Sequence, residues 1–285
     1  FPVGLGLHRR AMLQELSMLS ASKLVVAPDW QAALSARQLG RFDALWNLSG
    51  EVVKRANSTE VVRVALEGHT IFVKKYWVTG LNQLLSAVTR GALLGRTKVR
   101  CEFENMQQLR AWNLDAPAPV AYGERRLLGW LRRSLLVTEG IVDPMPLDAF
   151  ISDTLPKRPE LRRELLEKLA DYVHRLHAHR FEHHDLYWRN IILSGGAPTH
   201  FYLLDAHKGS VWQPAREREA RGHDLGTLDA PAPAFFRRTE RLRFLLRYLH
   251  KSRLDDEAKA IAWLALASAE PIRKRQIKRV REARR

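Results

Sequence analysis

EHHDLYWRNIIL, residues 182–193, places two histidines, an aspartate and an asparagine directly before a short apolar run. Three readings fit that composition: a metal site, a polar turn buried under a strand, and a catalytic loop. The flanking sequence has to separate them.

Upstream, Leu161, Leu165, Leu169, Tyr172 and Leu176 step by 4, 4, 3 and 4, the spacing of an amphipathic helix that runs into the quoted stretch. Downstream, NIIL and FYLLD read as two short strands separated by SGGAPTH. After Trp212 the pattern returns to helix, most clearly in RLRFLLRYLH and DDEAKAIAWLALASA. Towards the start, EVVRVALEGHTIFVKKYW (residues 60–77) alternates apolar residues at Val62, Val64 and Leu66, turns at Gly68-His69 and resumes, which predicts a β-hairpin. TKVRCEFENMQQLRAW then carries Glu102, Met106 and Leu109 at helical spacing, and the prolines of LDAPAPVAYGE end that helix. RRSLLVTEG reads as the last strand of a small sheet, and VDPMPLDAF as a connection. The predicted organisation is an extension of unassigned role over residues 1–40, a β-rich lobe with one helix over 41–139, and a helical lobe interrupted by one hairpin over 140–285.

In this order HHDLYWRN falls on a loop between a long helix and a strand, and Asp205 ends the partner strand of the hairpin. A hairpin of that size returns Asp205 close to Asn190, so Asp185, Asn190 and Asp205 are expected at one mouth. Phosphoryl transfer needs such a set: a carboxylate to orient the acceptor hydroxyl and take its proton, and oxygen ligands for Mg²⁺ on the nucleotide phosphates. Lys74 would supply positive charge to the phosphates, and Lys75, on the other strand face, is expected in solvent. Among helix residues that could hold Lys74, Glu102 is preferred to Glu104 because it shares a face with Met106 and Leu109; Glu104 is expected in solvent.

IFVKK, RCEFENMQQL, PVAYGERR, LLVTEG, HHDLYWRNIIL, YLLDAHKG and GHDLGTLDAPAPAFFRRTERLRFLLRYL resemble the kinases that phosphorylate heptose and Kdo sugars of the lipopolysaccharide inner core. The resemblance covers about residues 42–275. It implies an α+β, two-lobed protein-kinase-like fold with ATP and Mg²⁺ as cofactors. Through it Lys74 matches the nucleotide-phosphate lysine, Glu102 its ion-pair partner, Asp185 the catalytic base, and Asn190 a metal ligand. Asp205 matches the aspartate opening the metal-binding triplet, here Asp-Ala-His, Glu139 the hinge whose backbone would hold adenine, and Asp224 a structural aspartate supporting the catalytic loop. One departure is that KRANSTE, where a phosphate-covering loop is expected, has no glycine.

The charge bears on partners. Forty-seven Lys and Arg against 31 Asp and Glu leave +16, a surplus that suits nucleic acid, an anionic membrane face or a phosphate-bearing substrate. Eight of the thirteen residues from Arg273 to Arg285 are basic, and this tail is read as a docking element for an anionic membrane surface carrying lipopolysaccharide core glycolipid. That places the protein in the cytoplasm, peripheral at the inner face of the cytoplasmic membrane. A phosphotransferase for a small molecule or protein, and a kinase-like protein beside nucleic acid, are the alternatives, the second disfavoured. The single cysteine, Cys101, forbids an internal disulfide and fits a reducing compartment. The apolar run IAWLALASA is too short to cross a bilayer. The start lacks an initiator methionine and a charged-then-apolar signal pattern, so a processed N-terminus is expected and a secretory signal is not evident. Seven of the eleven histidines lie between His174 and His207. His174, His177 and His179 are read as surface or capping residues near a helix end, His183 as packed beneath the loop, and His184 as exposed.

Overall fold

The computed structural model describes residues 20–78, 96–196, 198 and 200–283, with side chains to residue 275. Two compact units emerge: residues up to Glu104 with Ala118–Gly140, and Asn105–Pro117 with Ile141–Arg285.

The first unit is built on one six-stranded antiparallel sheet. Its strands are β1 (Ser20–Val26), β2 (Glu51–Ala56), β3 (Thr59–Leu66), β4 (His69–Trp77), β5 (Pro119–Leu127) and β6 (Trp130–Glu139), in the order β1-β5-β6-β4-β3-β2. The predicted hairpin is β3–β4, turning at Glu67-Gly68, both in the left-handed region that a two-residue turn requires. Residues 20–40, given no role from sequence, include edge strand β1, which pairs with β5 along its whole length. Helices α1 (Gln31–Ala36) and α2 (Phe42–Trp46) follow, burying Leu34, Phe42 and Leu45. Helix α3 (Lys98–Ala111) begins in this unit, where Thr97 Oγ1 accepts the Arg100 N–H at 3.3 Å as an N-cap.

Alternation along β4 puts Ile71, Val73 and Lys75 on the buried face and Lys74 on the other. Lys75 is therefore not in solvent. It is 7% exposed, donates to the Leu48 carbonyl at 3.2 Å and stands 3.5 Å from Glu60. The strand pattern separated the two lysines correctly, but the cover over the Lys75 face comes from the α2 segment, which the pattern of β4 alone could not foresee.

The second unit is helical. Helix α4 (Leu161–Ala178) buries Leu161, Leu165, Leu169, Tyr172 and Leu176, the stripe read from sequence. It is followed by β8 (Phe181–Glu182), β9 (Ile191–Ser194), β10 (Phe201–Leu203) and β11 (Ser210–Val211). β9 pairs with β10 and with β7 (Pro144–Pro146), and β8 with β11. Helices α5 (Glu217–Asp229), α6 (Arg238–Tyr248) and α7 (Asp256–Ala283) complete it. A Cβ on Gly222 would fall 2.5 Å from Leu264 Cβ and one on Gly226 2.4 Å from the Ala265 carbonyl, so these two glycines let α5 and α7 approach backbone to backbone. An apolar cavity of about 300 Å³ remains among Leu165, Leu169, Leu225, Phe236, Leu242 and Leu266. Among the described residues no helix is long and apolar enough to cross a membrane.

Candidate active site

The predicted lysine–glutamate pair forms inside the first unit. Lys74 Nζ lies 2.8 Å from Glu102 Oε1, and Glu102 is 1% exposed. The lysine is fixed by β4 and the glutamate by the first half of α3, so the pair needs only strand alternation and one helix turn to form. Glu104 is held by Arg96 and Arg100 on the same helix end. Glu139 ends β6, its N–H is given to the Ala118 carbonyl at 2.8 Å, and its carboxylate meets His69 Nδ1 at 2.7 Å. The Glu139 N–H is thereby engaged within the first unit.

The second unit assembles the loop residues. Asn190 Nδ2 donates to the Asp185 carbonyl at 2.8 Å, which commits its amide nitrogen to the loop and leaves Oδ1 as the atom able to serve a metal. Leu204, next to Asp205, gives its N–H to the Asn190 carbonyl at 2.8 Å, so the hairpin brings the two segments together as its length implied. Asp205 itself is left-handed (φ 59°), and His207 Nδ1 stands 2.8 Å from its Oδ1. Asp185 Oδ2 is ion-paired with Lys208 at 2.7 Å. Lys208 was not singled out from sequence. Its only signal was a lysine three residues beyond Asp205, and only the hairpin geometry returns that position to the base.

The loop is anchored from beneath. Asp224, fully buried on α5, accepts the N–H groups of His183 at 2.6 Å and His184 at 2.9 Å. Burial opposes its ionisation, but the hydrogen bond and charge of His177 at 3.4 Å and the His183 N–H outweigh that and hold the carboxyl below the usual range. Burial keeps the His183 imidazole neutral by lowering its pKa, and a neutral ring 3.1 Å from the Leu204 carbonyl carries its proton on Nε2 and donates it there. His183 thus ties the base segment to the Asp205 segment, the packing role read for it. His177 is not a surface or capping residue: it is 1% exposed, and its Nδ1 lies 2.6 Å from the Tyr248 hydroxyl. The reason is that α4 places it, one residue after Leu176, against α5 and α6. His179 stacks on Trp112 with ring centroids 4.6 Å apart.

A cation beside a loop aspartate, an asparagine with its oxygen turned out and a second aspartate on a strand-end turn can bind a divalent metal on phosphates and activate a hydroxyl. Asn190 Oδ1 and the Asp205 carboxylate are hard oxygen donors, the type that Mg²⁺ prefers.

Comparison with known proteins agrees with this chemistry. Residues 43–248 match the Lipopolysaccharide kinase (Kdo/WaaP) family. The chain is 27% identical over 236 residues to the lipopolysaccharide core heptose(I) kinase WaaP of Pseudomonas aeruginosa, covering 78% of this chain and 87% of that protein. It is 26% identical over 156 residues to the enzyme of the same name from Escherichia coli, covering 53% of this chain and 58% of that protein. A solved structure, WaaP in complex with acyl carrier protein, superposes with a TM-score of 0.62 at 25% identity, covering 87% of this chain and 98% of that one, and gives this chain the two-lobed protein-kinase-like fold. With the family match spanning most of its length, the chain belongs to the lipopolysaccharide kinase (Kdo/WaaP) family.

Proposed function

We propose that this protein transfers a phosphoryl group from ATP to a sugar hydroxyl, on a heptose or Kdo residue, of the lipopolysaccharide inner core. The observation that carries this reading is the Asp185 loop, locked by Asp224 to α5, and by the His183 ring and the Asn190 carbonyl to Leu204 in the segment that bears Asp205. Family membership supplies the acceptor class.

In this reading Asp185 orients the acceptor hydroxyl and receives its proton, and Lys208, already beside Asp185, offers positive charge to the transferring group. Lys74, held by Glu102, serves the nucleotide phosphates. Asn190 Oδ1 and Asp205 would hold Mg²⁺, which screens phosphate charge when bound. Glu139 offers its backbone carbonyl to adenine. The test is an assay of purified protein with ATP against dephosphorylated core sugars. Phosphate incorporated on one defined core hydroxyl, and none on unrelated sugars, is the expected result; transfer to none of them sinks the acceptor assignment.

The +16 charge supports a peripheral position on an anionic membrane face carrying the glycolipid. The basic tail enters α7, and its side chains beyond residue 275 lie outside the described residues.

The solved relative was captured with acyl carrier protein, and this chain has an apolar cavity where an acyl chain would be sheltered from water. We propose acyl carrier protein as a partner on that basis. Co-elution of acylated rather than unacylated carrier protein with the purified kinase is the measurement, and co-elution of neither removes the partner.

A further inference from the structure

We propose that the protein has a second site, separate from Asp185, Asn190 and Asp205, in which Glu182, His184 and His223 bind one zinc-class divalent cation. Glu182 ends β8, His184 stands two residues on in the loop, and His223 lies on α5, so the site would join three segments of the helical unit.

Two of the three ligand-to-ligand distances suit a coordination shell. Glu182 Oε1 lies 3.2 Å from His184 Nδ1 and 3.1 Å from His223 Nδ1, and one ligand atom from each of the three residues lies within 4.8 Å of the others. Ligands about 2.0–2.1 Å from a tetrahedral zinc stand roughly 3.3 Å from one another. The two Glu182 contacts therefore have the length of tetrahedron edges, which is also the length of a carboxylate–imidazole ion pair.

His223 Nδ1 is buried and makes no hydrogen bond although a carboxylate oxygen is 3.1 Å away. At that distance the imidazole and the carboxylate are an ion pair whenever the ring is protonated, and a metal ion would take the place of that proton. Glu182 is only 2% exposed and its Oε2 also lacks a hydrogen-bond partner, Arg216 Nη2 being 3.8 Å away. A buried carboxylate in that condition is costly unless a cation compensates it.

The surroundings supply the usual second layer of support. His184 Nε2 lies 3.4 Å from Ser210 Oγ, so the ring nitrogen left over from coordination has a polar neighbour. The His184 backbone is left-handed (φ 64°), and its N–H is held at 2.9 Å by Asp224 Oδ1, which fixes where the imidazole starts. Two imidazoles and one carboxylate form a borderline-soft set that selects zinc over magnesium. Water would complete the coordination from the side on which both imidazoles are partly exposed. The ion does no chemistry on the acceptor: it pins the residue before Asp185 to α5.

The test uses the full chain, stripped with chelator and free of nucleotide. Stoichiometric Zn²⁺ should raise the melting temperature, Mg²⁺ at the same concentration should not, and calorimetry should give one tight zinc site. His223→Asn, on a partly exposed helix position, should weaken that site by roughly tenfold or more; it also removes the Glu182–His223 ion pair, so the zinc-induced rise in melting temperature is read for each protein against its own unliganded value. Equal zinc binding by wild type and variant overturns the proposal, as does the absence of zinc stabilisation in the wild type. A Co²⁺ titration of the wild type guards against a misfolded variant: strong visible bands of a four-coordinate ion support the site, and the weak spectrum of hydrated Co²⁺ overturns it.

Discussion

Lys208 Nζ stands 2.7 Å from Asp185 Oδ2, so the proposed base carries its own counter-cation, delivered by the turn after β10 rather than by the loop itself. The pair lies between a half-buried aspartate and an exposed lysine tip, which leaves the lysine free to swing towards a phosphate while the aspartate stays fixed.

Removing the base separates chemistry from binding. Asp185→Ala should lower turnover by roughly 10²-fold or more with nucleotide affinity nearly intact, because a general base acts in the transition state. Steady-state kinetics together with calorimetric ATP binding measure this, and turnover near that of the wild type removes Asp185 from the mechanism.

Lys208→Gln should lower kcat by about 10²-fold, in the range of a single lost electrostatic donor, with a smaller change in KM. A loss confined to KM would instead make Lys208 a substrate-binding residue without a role in the transferring step.

In the first unit, Lys74→Met strands the buried Glu102 carboxylate, one oxygen of which already lacks a hydrogen-bond partner. The variant should be destabilised by about 3–5 kcal/mol, as when one partner of a buried pair is removed. Lys74→Met combined with Glu102→Gln should recover much of that stability and none of the activity. Denaturant melts read the first effect and ATP turnover the second. A double variant no more stable than the single one contradicts the account.

Metal dependence divides two other residues. Asp205→Ala should weaken Mg²⁺-dependent ATP binding, whereas Asn190→Ala should weaken it less and also loosen the loop, since Nδ2 holds the Asp185 carbonyl. Calorimetry with and without Mg²⁺ distinguishes them, and unchanged Mg·ATP binding in Asp205→Ala counts against the ligand assignment.

The Asp224 carboxyl is depressed in the folded state, so its contribution to stability is complete above the ordinary carboxylate range near pH 4 and is lost as pH falls through the folded value. Asp224→Ala should lose that acid-sensitive component. It also leaves two buried N–H groups unpaired, at about 1–3 kcal/mol each. Melting temperatures of both proteins from pH 7 down to the acid limit test this, and parallel pH profiles would falsify the linkage.

Membrane docking predicts co-sedimentation with anionic vesicles bearing lipopolysaccharide core, weakening steeply with salt because screening acts within about 10 Å at 0.1 M. Deleting residues 272–285 should reduce it. Equal sedimentation with neutral vesicles, or salt-sensitive binding to RNA alone, moves the charge to another role.

What the sequence determined by itself was whatever local periodicity controls. The 4, 4, 3, 4 stripe of α4, the alternation that separates Lys74 from Lys75 and the hairpin length that returns Asp205 towards Asn190 all follow from 3.6- and 2-residue repeats acting over a few residues. The helix spacing likewise favoured Glu102 over Glu104 for Lys74. What only the tertiary structure decided was which polar side chains lose water. Lys75 is buried by the segment around Leu48, His177 by Tyr248 and Asp224, and Glu182 meets His223 across 41 residues of chain. No repeat encodes those encounters, because desolvation depends on which distant element closes over a face, and that choice is made by packing the whole unit at once.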